Sequence, residues 1–84
     1  MVIAALRGED VILCQITSQA RADEYSIGLD GADFIVGGLS RGSRIRPNKL
    51  FTAAAGIVVY RAGRVSDAKL DDVVERVIAI VSEA

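Results

Sequence analysis

The sequence after position 65 carries the strongest structural signal in the chain, because apolar side chains recur there at spacings of three and four. The apolar positions are Leu70, Val73, Val74, Val77, Ile78 and Val81. This spacing places them on one face of an α-helix, and the other face holds mostly charged residues with structural roles: Lys69, Asp71, Asp72, Glu75 and Arg76. Ser66 is a suitable N-cap, and Asp67 brings negative charge to the first turn. The sequence predicts an amphipathic C-terminal helix that packs on a sheet.

Short apolar runs bounded by turn-forming residues precede the helix and predict β-strands. Residues 2–6 and 11–16 are rich in β-branched side chains and flank a reversal at 7–10, which predicts a hairpin. Residues 24–29 alternate polar and apolar side chains and predict a third strand. Pro47 indicates a bend or a sheet edge. The other predicted segments are a turn at 20–23, a helical turn at 30–34, a flexible loop at 36–42, strands at 43–46 and 49–52, and an apolar run at 57–60.

The length of the chain limits it to one small domain. Eighty-four residues, of which 51% are hydrophobic and 25% charged, can enclose only a single core, so residues 1–84 are predicted to form one domain. Strands followed by one helix predict an α+β fold that is mainly β. We expect a small, strongly bent antiparallel sheet, close to an SH3-like barrel, with a C-terminal helix. Leu50 and Phe51 are predicted to belong to its core.

The sequence contains no histidine and only one cysteine. Ser-His-Asp and Cys-His catalysis and nearly all zinc sites need an imidazole or several thiolates, so we predict no metal site and no cofactor. Cys14 is predicted to be a small buried hydrophobic residue, and a free thiol suits a reducing cytoplasm. The apolar stretches are shorter than the roughly 20 residues that cross a bilayer, and the N-terminus lacks a secretory signal. We therefore predict a cytoplasmic protein without membrane association.

Cations cluster in the middle of a chain whose net charge is −1. Every charged residue between Asp33 and Asp67 is basic: Arg41, Arg44, Arg46, Lys49, Arg61 and Arg64. Such a cluster can bind phosphates or an acidic peptide, or it can simply form a solvated surface. Both interpretations stay open at the level of charge alone.

A polar segment, Gln15-Ile16-Thr17-Ser18-Gln19, ends the predicted second strand. Hydroxyl and amide groups at a strand end can donate hydrogen bonds to a phosphate without any shift in pKa. Thr-Ser after a strand more commonly just ends the ladder and starts a turn, so composition alone favours a structural role.

Several segments in combination resemble the MazF/PemK/Kid family of bacterial toxins. They are Ile16-Thr17-Ser18-Gln19, the predicted strand at 24–29, Gly37-Gly38-Leu39, Ser43-x-x-Arg46-Pro47-x-Lys49-Leu50-Phe51-Thr52, and Gly63-Arg64-Val65-Ser66 before Leu70-x-x-Val73. The resemblance extends over nearly the whole chain. It implies an SH3-like barrel of the MazF/CcdB type that forms a homodimer and cuts single-stranded RNA without metal, as the toxin of a type II toxin–antitoxin system.

The resemblance also implies site residues and partners. Thr17 matches the threonine that hydrogen-bonds the transition state in such toxins, while an arginine stabilises charge or moves protons. Contacts with RNA or an antitoxin are expected at Ser18, Gln19, Arg41, Arg44, Arg46 and Lys49. The expected partners are a cognate antitoxin, single-stranded RNA, and operator DNA through the antitoxin complex.

The family's opening β-hairpin and its Arg-Pro pair have no counterpart in this sequence. Residues 1–5 correspond to the strand that follows that pair, so we expect a chain shortened at its N-terminus and lacking the principal catalytic arginine of the family. Arg44 and Arg46 are the nearest substitutes by residue type. Two other functions stay open: a toxin-fold module that only binds antitoxin or operator DNA, and a topoisomerase poison of the CcdB type. The Thr17-Ser18-Gln19 segment favours the nuclease.

Overall fold

The computed structural model describes residues 1–19, 23–57 and 62–83. In this part of the chain, six strands precede one helix. The strands are β1 (Val2–Ala5), β2 (Asp10–Thr17), β3 (Ile27–Leu29), β4 (Phe34–Gly37), β5 (Ser43–Ala54) and β6 (Gly63–Val65), and the helix is α1 (Asp67–Ser82). Two short 3-10 helices lie at Gly31–Asp33 and Ala55–Ile57. No helix in these residues is both long enough and apolar enough to span a bilayer.

The main sheet has four antiparallel strands in the order β1-β2-β5-β3, and β4 pairs with β6 in a separate two-stranded ribbon. The four-stranded sheet curls into a half-barrel, so the predicted α+β, mainly β architecture with a C-terminal helix is confirmed. The predicted hairpin at 2–16 is also confirmed, because β1 pairs with β2 and Gly8 adopts a φ of 86° in the reversal between them. Such a left-handed conformation suits glycine.

The core is small and draws on four elements. Cys14 from β2, Leu29 from β3, Ile45 from β5 and Val73 from α1 are each at most 2% exposed, and Pro47 is also fully buried. The predicted burial of Cys14 is confirmed, and desolvation raises the pKa of its thiol. These side chains form one cluster, which packs the helix against one face of the sheet.

The helix begins where the sequence predicts. The Ser66 hydroxyl accepts a hydrogen bond from the Lys69 backbone N–H at 3.2 Å, as an N-cap does. The predicted apolar stripe is covered at Val73 but not near the helix end, because Ile78 is 56% and Val81 60% exposed. The expectation that the whole stripe packs on the sheet is therefore wrong for these two residues.

Two cations of α1 have the structural roles that the sequence predicts. Lys69 Nζ donates to the Gly28 carbonyl oxygen at 2.9 Å and lies 3.4 Å from the Asp33 carboxylate. Arg76 donates to the carbonyl oxygens of Glu24 and Tyr25, each at 3.3 Å. Both side chains connect the helix to the segment around β3, the shortest strand of the main sheet, which lies at its edge.

Several predicted boundaries in the first half of the chain are wrong. The third strand begins only at Ile27, because the Asp23 carboxylate accepts backbone N–H bonds from Tyr25 and Ser26 and holds them in a turn. The predicted loop at 36–42 begins inside β4, whose partner β6 lies far along the sequence. Residues 20–22 of the predicted turn and residues 58–60 of the predicted apolar run lie outside the described residues.

The long strand β5 also departs from expectation. Pro47 does not interrupt it but lies at an irregularity, since Arg46 pairs with Gln15 while Leu50 pairs with Cys14. A residue without an N–H is tolerated where the ladder is already irregular. Beyond that point Leu50 is 41% exposed and Phe51 51% exposed, so their predicted core positions are wrong. No described strand other than β2 pairs with this half of β5.

Candidate functional site

Three residues form a row across the face of the main sheet that points away from the core. Arg44 on β5 lies opposite Thr17 on β2 and opposite Gly28 on β3. Directly opposite residues in antiparallel strands point to the same face, with β-carbons about 4.5–5.5 Å apart. Because Ile45, the next residue on β5, points into the core, Thr17 and Arg44 face outward as neighbours. Because Gly28 has no side chain, no side chain covers Arg44 from the β3 side.

An open depression of about 400 Å³ adjoins this row. It lies at one end of the sheet, because β2 and β3 both run antiparallel to β5 and therefore finish beside its start. Its lining residues are Ser18, Gln19, Gly28, Leu29, Asp30, Gly42, Ser43 and Arg44. Hydroxyl, amide, carboxylate and guanidinium groups thus converge from the ends of two strands and the start of a third.

The Thr17 hydroxyl is oriented by the chain that follows it. Its oxygen accepts a hydrogen bond from the Gln19 backbone N–H at 3.2 Å. A hydroxyl that accepts from the backbone keeps its own proton for donation to another acceptor. Thr17 can therefore donate to a phosphate oxygen at the sheet surface without changing its protonation state.

The two arginines of β5 differ in their availability. Arg46 forms an ion pair with Asp23 at 3.3 Å and donates to the Gln15 side-chain oxygen at 3.2 Å. Arg44 makes no ion pair and no side-chain hydrogen bond with any residue in the described ranges. Of these two arginines, Arg44 is consequently the one whose hydrogen-bond donors are free, among the described residues, to meet an anionic ligand.

The Asp23 carboxylate holds the Arg46 guanidinium in an ion pair. Desolvation of its carboxylate raises the pKa, but bonds from the Tyr25 N–H, Asn48, Arg46 and the Ser26 N–H outweigh that effect and hold the pKa below its usual value. The carboxylate is therefore ionised at neutral pH and anchors the turn at residues 23–26 to β5. This arrangement assigns Arg46 a structural contact.

The depression includes some of the residues predicted for the site and excludes others. Ser18, Gln19 and Arg44 line it, and Thr17 stands beside Arg44. Arg41 is exposed in the preceding loop, where its carbonyl oxygen accepts from the Ser43 hydroxyl. Neither it nor Lys49, which is exposed at the irregular part of β5, is among the lining residues.

Sequence reasoning missed Gly28, Asp30 and Ser43, which also line the depression. Their positions follow from the pairing of β3 with the start of β5. No local pattern in the sequence predicts that pairing. Asp30 accepts the Ala32 backbone N–H at 3.0 Å, and its own backbone N–H donates to the Asp33 carboxylate at 2.9 Å. Asp30 is thus a fixed carboxylate beside a free arginine.

The chemistry available at this site is that of hydrogen-bond donors and one cation. Within the described ranges, no group of three or more His, Cys, Asp or Glu residues is arranged to hold a metal ion. A hydroxyl and a guanidinium from directly opposite residues on one sheet face suit a tetrahedral or trigonal-bipyramidal phosphorus group, whose oxygens are acceptors only.

The chain matches no protein-family model and no curated protein sequence.

Proposed function

We propose that this chain is the toxin of a type II toxin–antitoxin system, a cytoplasmic, metal-independent endoribonuclease of the MazF/PemK kind that cuts single-stranded mRNA and inhibits growth. The observation that carries the proposal is the placement of Thr17 directly opposite Arg44, both half-buried, on the sheet face that points away from Ile45 and the core. An arginine and a threonine are the two groups that this chemistry calls for. In the sequence they stand far apart.

The proposed reaction is an internal transesterification. The ribose 2′-oxygen bonds to the adjacent phosphorus, the bond to the 5′-oxygen breaks, and the products are a 2′,3′-cyclic phosphate and a 5′-hydroxyl. The proton of the 2′-hydroxyl passes to solvent, and the leaving 5′-oxygen takes one up. The Arg44 guanidinium balances the charge that develops on the phosphoryl oxygens, while Thr17 donates a hydrogen bond to one of them.

The test is cleavage of a mixed-sequence single-stranded RNA in EDTA. Removing one transition-state donor commonly lowers the rate by about a hundredfold to a thousandfold, which we expect for Thr17→Ala and for Arg44→Gln. Thr17→Ser keeps the hydroxyl and should retain most activity. Thr52→Ala and Arg64→Gln are matched controls on exposed strand positions away from the depression and should cut as the wild type does.

Arg46 supplies a sharper contrast within the same strand. Because Asp23 and Gln15 already engage its guanidinium, Arg46→Gln should lower stability more than the cleavage rate measured on folded protein. If Arg44→Gln cleaves RNA normally and Arg46→Gln loses most of its cleavage rate, then Arg46 contacts the phosphate and Arg44 does not. Normal cleavage by both Thr17→Ala and Arg44→Gln would refute the nuclease mechanism.

We further propose a second copy of the chain and an acidic antitoxin segment as protein partners, with operator DNA bound through the antitoxin complex. The support comes from β5, where Leu50 and Phe51 are exposed and Lys49 lies beside them. A strand edge with unpaired backbone groups can accept an extended peptide, and the cation favours an acidic one. Binding of an acidic peptide should weaken with added salt and with Lys49→Glu, and salt-independent binding would count against this.

A further inference from the structure

We propose that Asp30 reads a nucleobase: the depression beside Thr17 and Arg44 receives one base, and Asp30 selects a base with an exocyclic amino group over uracil. The inference rests on the proposed function, because it requires single-stranded RNA on this face of the sheet. It adds a specificity determinant to a site whose other polar groups suit phosphate or ribose.

A carboxylate is unfavourable in a site that binds only phosphate, because the two groups carry charge of the same sign. Asp30 and Arg44 line the same depression, and a carboxylate repels any phosphate that a guanidinium attracts. A carboxylate only accepts hydrogen bonds, so its ligand partner is an N–H or O–H donor. Single-stranded RNA offers the ribose 2′-hydroxyl, which every nucleotide carries, and the N–H groups of the bases, which differ from base to base. The amino group of cytosine is a partner of Asp and Glu, whereas uracil presents an oxygen at the same position.

The depression has room for a base because position 28 has no side chain. A β-carbon built on Gly28 would meet no other atom within 4 Å, and the Gly28 backbone lies outside the left-handed region. A side chain there would point to the same face as its partner Arg44 and occupy the depression. Gly28→Val should therefore fold, since β-branched residues are favoured in strands, and block the site sterically.

A purely structural role does not account for the identity of Asp30. The residue caps the short 3-10 helix at Gly31–Asp33 through its Oδ1 atom and its backbone N–H. Asparagine caps helices as well as aspartate does. Asp30→Asn therefore keeps the cap and removes the charge, and its amide can donate to the O4 atom of uracil.

The test is binding of two fluorescent hexamers, one of deoxycytidine and one of deoxyuridine, which lack the 2′-hydroxyl and cannot be cut. The wild type should prefer the deoxycytidine hexamer by about tenfold, as one good base contact gives. Asp30→Asn should abolish most of this preference, chiefly by binding the deoxyuridine hexamer more tightly. Asp71→Asn, which removes one charge on the exposed helix surface, should leave the preference intact. Gly28→Val should bind neither hexamer.

Each other outcome has a definite meaning. If Asp30→Asn tightens binding of both hexamers equally, Asp30 acts through its charge alone and the base-reading role is overturned. A wild type without preference overturns it too, and normal binding by Gly28→Val removes the depression from the site. If the wild type cuts RNA in EDTA but shows no preference, only the Asp30 assignment fails. If it neither binds the hexamers nor cuts RNA, the proposed function fails with it.

Discussion

The side chain of Asp33 connects the end of the short 3-10 helix to the C-terminal helix. Its Oδ2 atom accepts the Asp30 backbone N–H at 2.9 Å, and its Oδ1 atom lies 3.4 Å from Lys69 Nζ. The bond from the Asp30 N–H is the main cause of a lowered pKa, and Lys69 adds to it against the opposing effect of desolvation. These contacts favour the ionised carboxylate in the folded chain more than in the unfolded chain.

A lowered folded-state pKa stabilises the fold above the ordinary pKa of aspartate, and this contribution is lost as pH falls through the lowered value. We expect Asp33→Asn to be less stable than the wild type at neutral pH. The gap in urea midpoint between this variant and the wild type should narrow as pH falls below about 4, because the carboxylate of the unfolded wild-type chain becomes protonated there, and it should close below the lowered pKa of the folded chain. Asp71→Asn is the control, since the Asp71 carboxylate forms no ion pair with any residue in the described ranges. A gap that is constant down to pH 2 would contradict this assignment.

Ser66 offers a second prediction for a single residue. Its hydroxyl satisfies the Lys69 N–H at the start of the helix, so Ser66→Ala should lower the free energy of unfolding by about 1 kcal/mol. Ser66→Asp should retain most of the stability, because aspartate caps equally well and favours the positive end of the helix dipole. Denaturant titration of the three proteins measures this. Equal stability of Ser66→Ala and the wild type would mean that solvent replaces the cap.

At the scale of elements, local sequence patterns predict the helix and the hairpin, but they do not predict which distant strands pair. The helix after Ser66 and the hairpin around Gly8 follow from periodicity and turn residues that lie within a few positions of each other. The pairing of β4 with β6 has no such signal, nor does the meeting of Thr17 with Arg44. The burial of Phe51 was predicted from its type alone, and the structure leaves that half of β5 without a covering layer. Asp30 lies at the site only because β3, which precedes it, pairs with the start of β5.

The ribbon of β4 and β6 depends on two glycines. A β-carbon on Gly63 would overlap the Val36 carbonyl oxygen, and one on Gly37 would overlap the Ala62 carbonyl oxygen. Gly37 also has a φ of 65°, which strains any other residue. The two strands therefore approach each other more closely at this end than side chains permit.

Gly63→Ala should consequently destabilise the fold by about 1–3 kcal/mol, the usual cost of overpacking. Gly38→Ala is the matched control, because a β-carbon there would meet nothing within 4 Å. Thermal unfolding of both variants checks the prediction. A Gly63→Ala protein as stable as Gly38→Ala would show that the ribbon can open at no cost.

At the scale of the whole molecule, the exposed surface is large for the mass. The chain exposes 5992 Å², whereas a monomeric protein of 8.9 kDa is expected to expose about 4,800 Å². The difference of about 1,200 Å² exceeds the roughly 800 Å² that each partner contributes to a standard interface. Exposed apolar residues contribute to it, among them Phe51 on β5 and Val81 on α1. A second copy of the chain could cover this surface.

We therefore expect a dimer in sedimentation experiments and expect Phe51→Glu to shift it to the monomer. The variant should remain folded, because Phe51 is 51% exposed within one chain. Ile35→Glu introduces the same charge at a 58% exposed position on β4 and should leave the dimer intact. A wild type that sediments as a monomer at all accessible concentrations would refute the proposed self-association, and a monomeric Ile35→Glu would move the interface to β4.

The pairing of β2 with β5 has a consequence for the time course of folding. The paired residues are Thr17 and Arg44 at one end of the two strands and Asp10 and Ala54 at the other. Because the members of each pair are far apart in the sequence, the chain must close a long loop before the first of these contacts forms. Folds dominated by such distant contacts cross their barrier slowly, and a helix as short as α1 gains little stability until the sheet exists to receive it. Thr17 and Arg44 become neighbours only in that same step. RNA cleavage should therefore appear during refolding with the rate constant of the global transition, with no partly active intermediate before it.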